Sequence, residues 1–114
     1  MKRFGLSDLR LKGRVFFLQV FKEGKRFETK NFYIYVLLGK TLRFAIIVGR
    51  ECGKSTKRNK IKRLVREFVR LNRELIKEGI YIFKAKPYCM VKRYSDIENE
   101  FRDFFKKENL FKSN

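Results

Sequence analysis

One segment, from Lys54 to Arg73, limits most narrowly how this chain can fold. It reads KSTKRNKIKRLVREFVRLNR and holds nine basic residues and one acid, Glu67. On a helix that turns about 100° per residue, its apolar side chains form one stripe: Ile61, Leu64, Val65, Phe68 and Leu71. The opposite side carries cations: Lys62, Arg63, Arg66, Arg70 and Arg73. The spacing therefore predicts a long amphipathic helix over residues 57–78, ended by Gly79, with one side buried.

The segments around this helix predict the sheet on which it packs. Aromatic and β-branched residues dominate three stretches, and a fourth gives a short edge strand; the four are residues 25–28, 31–38, 43–48 and 80–85. The stretch 43–48, RFAIIV, is apolar without interruption. That pattern predicts a strand covered on both faces, as in the centre of a sheet.

Two shorter helices complete the predicted fold. Phe16, Phe17, Val20 and Phe21 recur at helical spacing within residues 13–23, and Gly24 follows as a left-handed stop. Ser95-Asp96-Ile97-Glu98 has the S-x-x-E pattern of a capping box and opens a helix to about Lys107. Its apolar side carries Ile97, Phe101, Phe104 and Phe105. We predict one α+β domain over residues 1–114, in which α-β-β-β-α-β-α elements form a four-stranded, mostly antiparallel mixed sheet with helices packed on it.

Composition narrows the class of function. The 114 residues include 30 Lys and Arg, 12 Asp and Glu and no His, which gives a net charge of +18. Such charge on a small domain is typical of a protein that binds a polyanion. No apolar run is long enough to span a membrane, and no secretory pattern follows the basic N-terminus. Cys52 and Cys89 match no metal or redox spacing, so we expect reduced thiols in the cytoplasm.

The pattern of polar residues indicates no catalytic site in the chain itself. Without histidine there is no Ser/His or Cys/His pair and no imidazole metal ligand. No D-x-D or Walker motif occurs, and residues 49–55, GRECGKS, lack the first glycine of a phosphate loop. We expect neither catalytic residues nor a metal ion held by this chain alone.

Like charges on the basic helix favour a bound anion over ordinary solvation. Lys62–Arg66, Arg66–Arg70 and Arg58–Lys62 are repulsive i,i+4 pairs, whereas solvated helices usually mix signs. A membrane-surface helix would need a free apolar side, and a DNA-reading helix would need more amides than Asn59 and Asn72. RNA is therefore the favoured polyanion. Strand alternation places Tyr33 and Tyr35 on one sheet face, where unpaired bases could stack on an exposed ring.

The basic segment also carries a family resemblance. Gly53 to Arg70, GKSTKRNKIKRLVREFVR, resembles the R-N-R-x-K-R-x-x-R signature of the bacterial ribonuclease P protein subunit. Leu11-Lys12 and residues 17–24, FLQVFKEG, resemble that family's N-terminal L-K…D-F-x-x-V-F-x-x-G. Three positions depart from the pattern: Lys60 replaces the second signature arginine, Glu51 a common basic residue, and Val15 an acid.

The resemblance implies a left-handed β-α-β crossover, a function and two sets of site residues. The protein would bind ribonuclease P RNA through the signature helix, by Lys54, Lys57, Arg58, Asn59, Lys60, Lys62, Arg63, Arg66 and Arg70. It would hold the single-stranded 5′ leader of precursor tRNA in a cleft lined by Phe17, Phe21, Tyr35 and Arg50. The RNA would perform the Mg²⁺-dependent endonucleolytic cleavage, with no DNA or membrane partner. The alternative is a basic ribosomal or ribonucleoprotein-assembly protein of similar fold.

Overall fold

The computed structural model describes residues 9–113 of the chain. Within this range the helices and strands follow in the predicted order: α1 (Arg14–Glu23), β1 (Lys25–Glu28), β2 (Phe32–Leu38), β3 (Arg43–Ile47), α2 (Ser55–Asn72), β4 (Gly79–Ala85) and α3 (Tyr94–Lys107). A single 3-10 turn, Arg50–Cys52, joins β3 to α2 in this part of the chain. The predicted α+β class is confirmed.

The four strands form one mixed sheet in the order β1-β2-β4-β3. The β1/β2 and β2/β4 pairs are antiparallel, whereas β3 and β4 are parallel. Parallel neighbours need a crossover connection, and α2 provides it. The left hand of this β3–α2–β4 unit stays a prediction from the resemblance.

Strand β3 lies at the sheet edge, so its predicted central position is wrong. Its continuous apolar run has another cause, because residues next to α1 cover its outer edge. Arg10 forms a parallel bridge with Phe44, and the Leu11 N–H donates to the Phe44 carbonyl at 2.9 Å. Phe44 and Ala45 are buried on opposite faces of the strand. Two of its five residues are thus buried and the other three are half-buried, although the strand lies at the edge.

The sheet separates two apolar layers. Helices α2 and α3 pack on one face, in a large core whose fully buried side chains include Phe32, Ile34, Ile61, Val65, Phe68, Tyr81, Ile97, Phe101 and Phe105. Helix α1 packs on the other face, where Val20 contacts a smaller group with Leu11, Ala45 and Ile82. Tyr35 packs in this smaller group and Ile34 in the large core, which confirms the predicted alternation along β2.

Helix α2 ends at Asn72, before the predicted end at Glu78. The buried Asn72 side chain donates to the Phe68 carbonyl at 2.9 Å, and its own carbonyl accepts the N–H groups of Leu75 and Ile76. This turn directs Ile76 into the core. Leu71, predicted on the buried stripe, is 53% exposed.

The ends of α1 and α3 also differ from their predictions. Gly24 has φ −76° and is not a left-handed stop. A Cβ there would lie 2.5 Å from the Val20 carbonyl oxygen and 3.0 Å from that of Val36, so glycine allows α1 to approach β2. Helix α3 begins at Tyr94, one residue before the predicted capping serine. Asp96 caps it, because its carboxylate accepts the backbone N–H groups of Lys92 and Arg93 at 2.9 and 3.1 Å.

Candidate nucleic-acid interface

The outward side of α2 presents the basic residues that the sequence places there. Ile61, Val65 and Phe68 are at most 1% exposed, and this fixes the rotation of the helix on the core. Asn59, Arg63, Arg66 and Arg70 then follow at spacings of three and four residues on the opposite side, and all are exposed. Because an α-helix rises about 1.5 Å per residue, this row spans several phosphate spacings of a folded RNA.

The arginines of this row differ in whether an acidic side chain pairs with them. Arg70 pairs with Glu67, and its Nε lies 3.2 Å from Oε2 of that carboxylate. The hydrogen bond from Arg70 holds the pKa of Glu67 below its ordinary value. Within residues 9–113 no acid forms a salt bridge with Arg63 or Arg66. The same holds for the other predicted RNA-contacting lysines: Lys54, Lys57, Lys60 and Lys62.

The N-terminal end of α2 adds backbone donors to these cations. Lys54 occupies the N-cap without a side-chain cap, and the Arg58 N–H donates to its carbonyl at 3.0 Å. The first N–H groups of a helix lack intrahelical acceptors, so this end attracts anions. The preceding turn is fixed because the buried Cys52 thiol donates to the Lys86 carbonyl at 3.3 Å. Arg58 is partly engaged, since its Nε donates to the Gly53 carbonyl at 3.2 Å.

Three of the four residues predicted for the leader cleft lie together between α1 and the sheet. The ring centroid of Phe21 is 6.5 Å from that of Phe17 and 4.8 Å from that of Tyr35, edge to face with the latter. Phe21 is 42% exposed, and the other two rings are half-buried. Burial of Val20 holds α1 in place, so the rings line an accessible aromatic surface, which we call the α1 cleft.

The remaining N-terminal candidates lie elsewhere. Arg50 is exposed on the turn after β3 and makes none of these ring contacts. Phe16 is 50% exposed and lines a separate depression with Arg10, Lys12 and Arg43, although its spacing predicted the buried side of α1. Val15, which departs from the family pattern, is 74% exposed. Only part of the predicted apolar side of α1 is thus buried.

A second aromatic group was missed by sequence reasoning. The Arg26 guanidinium lies 4.4 Å from the Tyr33 ring centroid, and the Lys86 ammonium lies 5.0 Å from Tyr33 and 5.8 Å from Tyr88. Lys86 forms a salt bridge with Glu28. The sequence signal was the two lysines and the tyrosine in residues 84–88, but their approach to Arg26 and Glu28 depends on how β1 and β4 each pair with β2.

Within residues 9–113, no three Cys, Asp or Glu side chains lie together in a metal-binding group. Burial raises the pKa of both thiols, Cys52 and Cys89, which are unpaired and buried. No helix in this range is long and apolar enough to cross a membrane.

Comparisons with known proteins identify the family. A family model described as Ribonuclease P matches residues 7–109. The ribonuclease P protein component of Clostridium acetobutylicum is 34% identical over 110 residues, covering 92% of each chain. That of Dictyoglomus turgidum is 42% identical over 109 residues, covering 93% of this chain and 86% of the relative. A solved structure of a Staphylococcus aureus RNase P protein mutant has a TM-score of 0.84, 25% identity and 92% coverage of each chain. With its signature helix and its fold both matched, the chain belongs to the ribonuclease P protein family.

Proposed function

We propose that this chain is the protein subunit of a ribonuclease P holoenzyme, where it binds the catalytic RNA and the 5′ leader of precursor tRNA. The observation that carries the proposal is the outward side of α2, where Arg63 and Arg66 are exposed and no described acid pairs with them. Several like charges on one helix are tolerated when bound phosphates neutralise them. Family membership favours this function over the ribosomal alternative.

The outward side of α2, with its exposed cations, suits a folded RNA partner. Arginine binds phosphate through two parallel N–H donors, and lysine contributes a point charge. Phosphate contacts position a protein on RNA without reading its sequence. We therefore assign the contact with ribonuclease P RNA to Asn59, Arg63 and Arg66, flanked by Lys54, Lys57, Arg58, Lys60 and Lys62. Arg70 contributes less, because Glu67 already neutralises it.

The α1 cleft suits the single-stranded leader. Unpaired bases stack on aromatic rings, and this interaction tolerates many sequences. Phe17, Phe21 and Tyr35 supply such rings, with Phe21 between the other two. Mature tRNA lacks the leader, so contacts in this cleft favour substrate over product. We assign Arg50, on the turn after β3, to contact with a leader phosphate.

The proposed division of labour rests on the resemblance to the family. The chain supplies positioning, and the RNA subunit supplies the hydrolysis that releases the mature tRNA 5′ end. The Mg²⁺ that this hydrolysis requires would be bound in the holoenzyme. The proposed site of action is the cytoplasm, with no DNA or membrane partner.

Reconstitution with a bacterial ribonuclease P RNA tests the proposal. At low Mg²⁺ the chain should stimulate cleavage of precursor tRNA, because its cations offset repulsion between two RNAs. Absence of stimulation would refute the assigned function. Tyr35→Ala should weaken binding of precursor tRNA more than that of mature tRNA. Equal weakening of both would remove the α1 cleft from leader binding.

A further inference from the structure

The outer edge of β1 pairs with no strand of residues 9–113. Strand β1 is the first in the order β1-β2-β4-β3, and its ladder is formed with β2 alone. Three of its four side chains, Lys25, Arg26 and Glu28, are exposed. The backbone N–H and C=O groups along such an edge can bind a further strand.

The hairpin between β1 and β2 fixes which backbone groups point to this edge. The Thr29 N–H donates to the Phe32 carbonyl at 2.8 Å, so these two residues form a hydrogen-bonded pair. Hydrogen-bonded and non-hydrogen-bonded pairs alternate along an antiparallel ladder. With β1 and β2 in continuous register, Phe27 therefore bonds to β2. Arg26 and Glu28 direct their backbone N–H and C=O groups outward.

This edge is complementary to itself. When two copies of β1 pair antiparallel about a two-fold axis at Phe27, Arg26 of each copy lies opposite Glu28 of the other. Residues in such a pair exchange both backbone hydrogen bonds, and their side chains share one sheet face. The neighbouring symmetric registers place Arg26 opposite Arg26 or Glu28 opposite Glu28, where like charges repel. Charge therefore selects the register about Phe27.

Glu28 can make this contact without losing the contact it already has. The Lys86 ammonium bonds to Oε2 of Glu28, and the Glu28 side chain is 57% exposed. The second carboxylate oxygen remains for Arg26 of the other copy. Within residues 9–113 no acid forms a salt bridge with Arg26 itself.

The surroundings of β1 admit a second copy despite the net charge of +18. A groove of about 870 Å³ lies between β1 and α3, and five acidic and three basic side chains line it. This local excess of acid lowers the repulsion that two basic molecules meet at other surfaces. The half-buried Phe27 lies 5.3 Å from Phe104 by ring centroids, and pairing at the axis would cover the rest of its ring.

We propose that β1 is a homodimer interface, at which two copies of this chain join their four-stranded sheets edge to edge. The partner is a second copy because the edge matches itself both in charge and in hydrogen-bond direction. The same patch on each molecule forms the contact, as two-fold symmetry requires. This inference goes beyond the RNA-binding function proposed above and does not depend on it, since α2 connects β3 and β4 at the other side of the sheet.

Sedimentation equilibrium of the full chain without RNA tests the interface. At roughly 0.5 M salt, screening shortens the repulsion between the two basic molecules. The wild type should form dimers. Arg26→Glu should raise the dimer dissociation constant by about tenfold or more, because it sets like charges opposite each other in both cross-strand pairs. Lys25→Glu is the matched control, since it changes the net charge equally but lies opposite Thr29, and it should dimerise as the wild type does.

Mixing two variants tests the register. Arg26→Glu and Glu28→Arg should each be monomeric alone, whereas an equimolar mixture should form mixed dimers, because both cross-strand pairs then have opposite charges again. Arg26→Pro keeps the test open if Glu28→Arg, which loses the bond from Lys86, does not fold. The proline removes an outward N–H that serves only the interface, so dimers should be lost with an unchanged circular dichroism spectrum.

Three results would overturn the interface. They are a wild type that is monomeric at every protein concentration, dimers that Arg26→Glu leaves intact or Lys25→Glu weakens equally, and a mixture of folded variants that stays monomeric. Because the measurement contains no RNA, each of these results leaves the proposed RNA-binding function standing.

Discussion

Single residues on α2 differ in surroundings although they share one side of the helix. Arg63 and Arg66 are exposed without a described acidic partner, whereas Arg70 pairs with Glu67. A cation already neutralised gains less from a phosphate, since it exchanges one partner for another. The contribution of each residue to RNA binding is therefore set by its neighbours and not by its charge alone.

Substitution of Arg63 and Arg70 tests this difference. Arg63→Ala should lower the affinity for ribonuclease P RNA and reduce the salt slope of binding by about one. Arg70→Ala should cost less, because it removes a cation that Glu67 offsets. Titrations at several salt concentrations measure both effects, and circular dichroism checks folding. A larger loss for Arg70→Ala would contradict the assigned roles.

The Glu28–Lys86 pair predicts a pH dependence of stability. The hydrogen bond from Lys86 holds the pKa of Glu28 below its ordinary value of 4.5. A lowered folded-state pKa stabilises the protein above the unfolded-state pKa, and this stabilisation is lost as pH falls through the folded value. Glu28→Gln should therefore lower the free energy of unfolding at neutral pH and make no difference well below pH 4.5. Urea unfolding at a series of pH values measures this, and a difference that does not change with pH would contradict it.

At the scale of elements, α2 has two sides with separate tasks. Its inner side joins the large core, where Phe68 contacts Phe101 and Phe105 at centroid distances of 5.3 and 5.6 Å. Its outer side carries the cations. Because the inner side is close-packed, it orients the outer side, and the basic row depends on the aromatic core of α3.

Truncation of two large apolar side chains on α2, Phe68 and Leu71, should change the free energy of unfolding by different amounts. Phe68→Ala should lower the free energy of unfolding by about 3–5 kcal/mol, since it leaves a cavity. Leu71→Ala should change it by only about 0.5 kcal/mol, because surface substitutions have small effects and Leu71 is half exposed. Denaturant unfolding of both variants checks this. A similar decrease in the free energy of unfolding for both variants would contradict the exposed position of Leu71.

At the scale of the whole molecule, the net charge of +18 is balanced only by a partner. Four of the 12 acids lie on α3, namely Asp96, Glu98, Glu100 and Asp103. Glu100 faces the turn between β1 and β2, where its carboxylate accepts from Asn31 and Thr29. On the outer side of α2, Arg63 and Arg66 form no salt bridge with a described acid, so this side of the molecule suits RNA.

The salt dependence of RNA binding should show this charge distribution. If about six to ten phosphates are contacted, affinity for ribonuclease P RNA should fall by about 10³–10⁵ between roughly 50 and 200 mM salt. Filter binding or fluorescence titration measures the slope. A shallow slope, equivalent to about one or two phosphates, would contradict an interface built on the α2 row.

Local patterns in the sequence determined the order of elements, the buried sides of α2 and α3, the alternation along β2 and the family. These follow from periodicity and from short motifs, which neighbouring residues carry. Tertiary structure alone decided that β3 lies at the edge, that α2 ends at Asn72 and that Tyr33 lies against both Arg26 and Lys86. The physical reason is that strand order, register and partner choice depend on contacts between residues far apart in the chain, which no local pattern encodes.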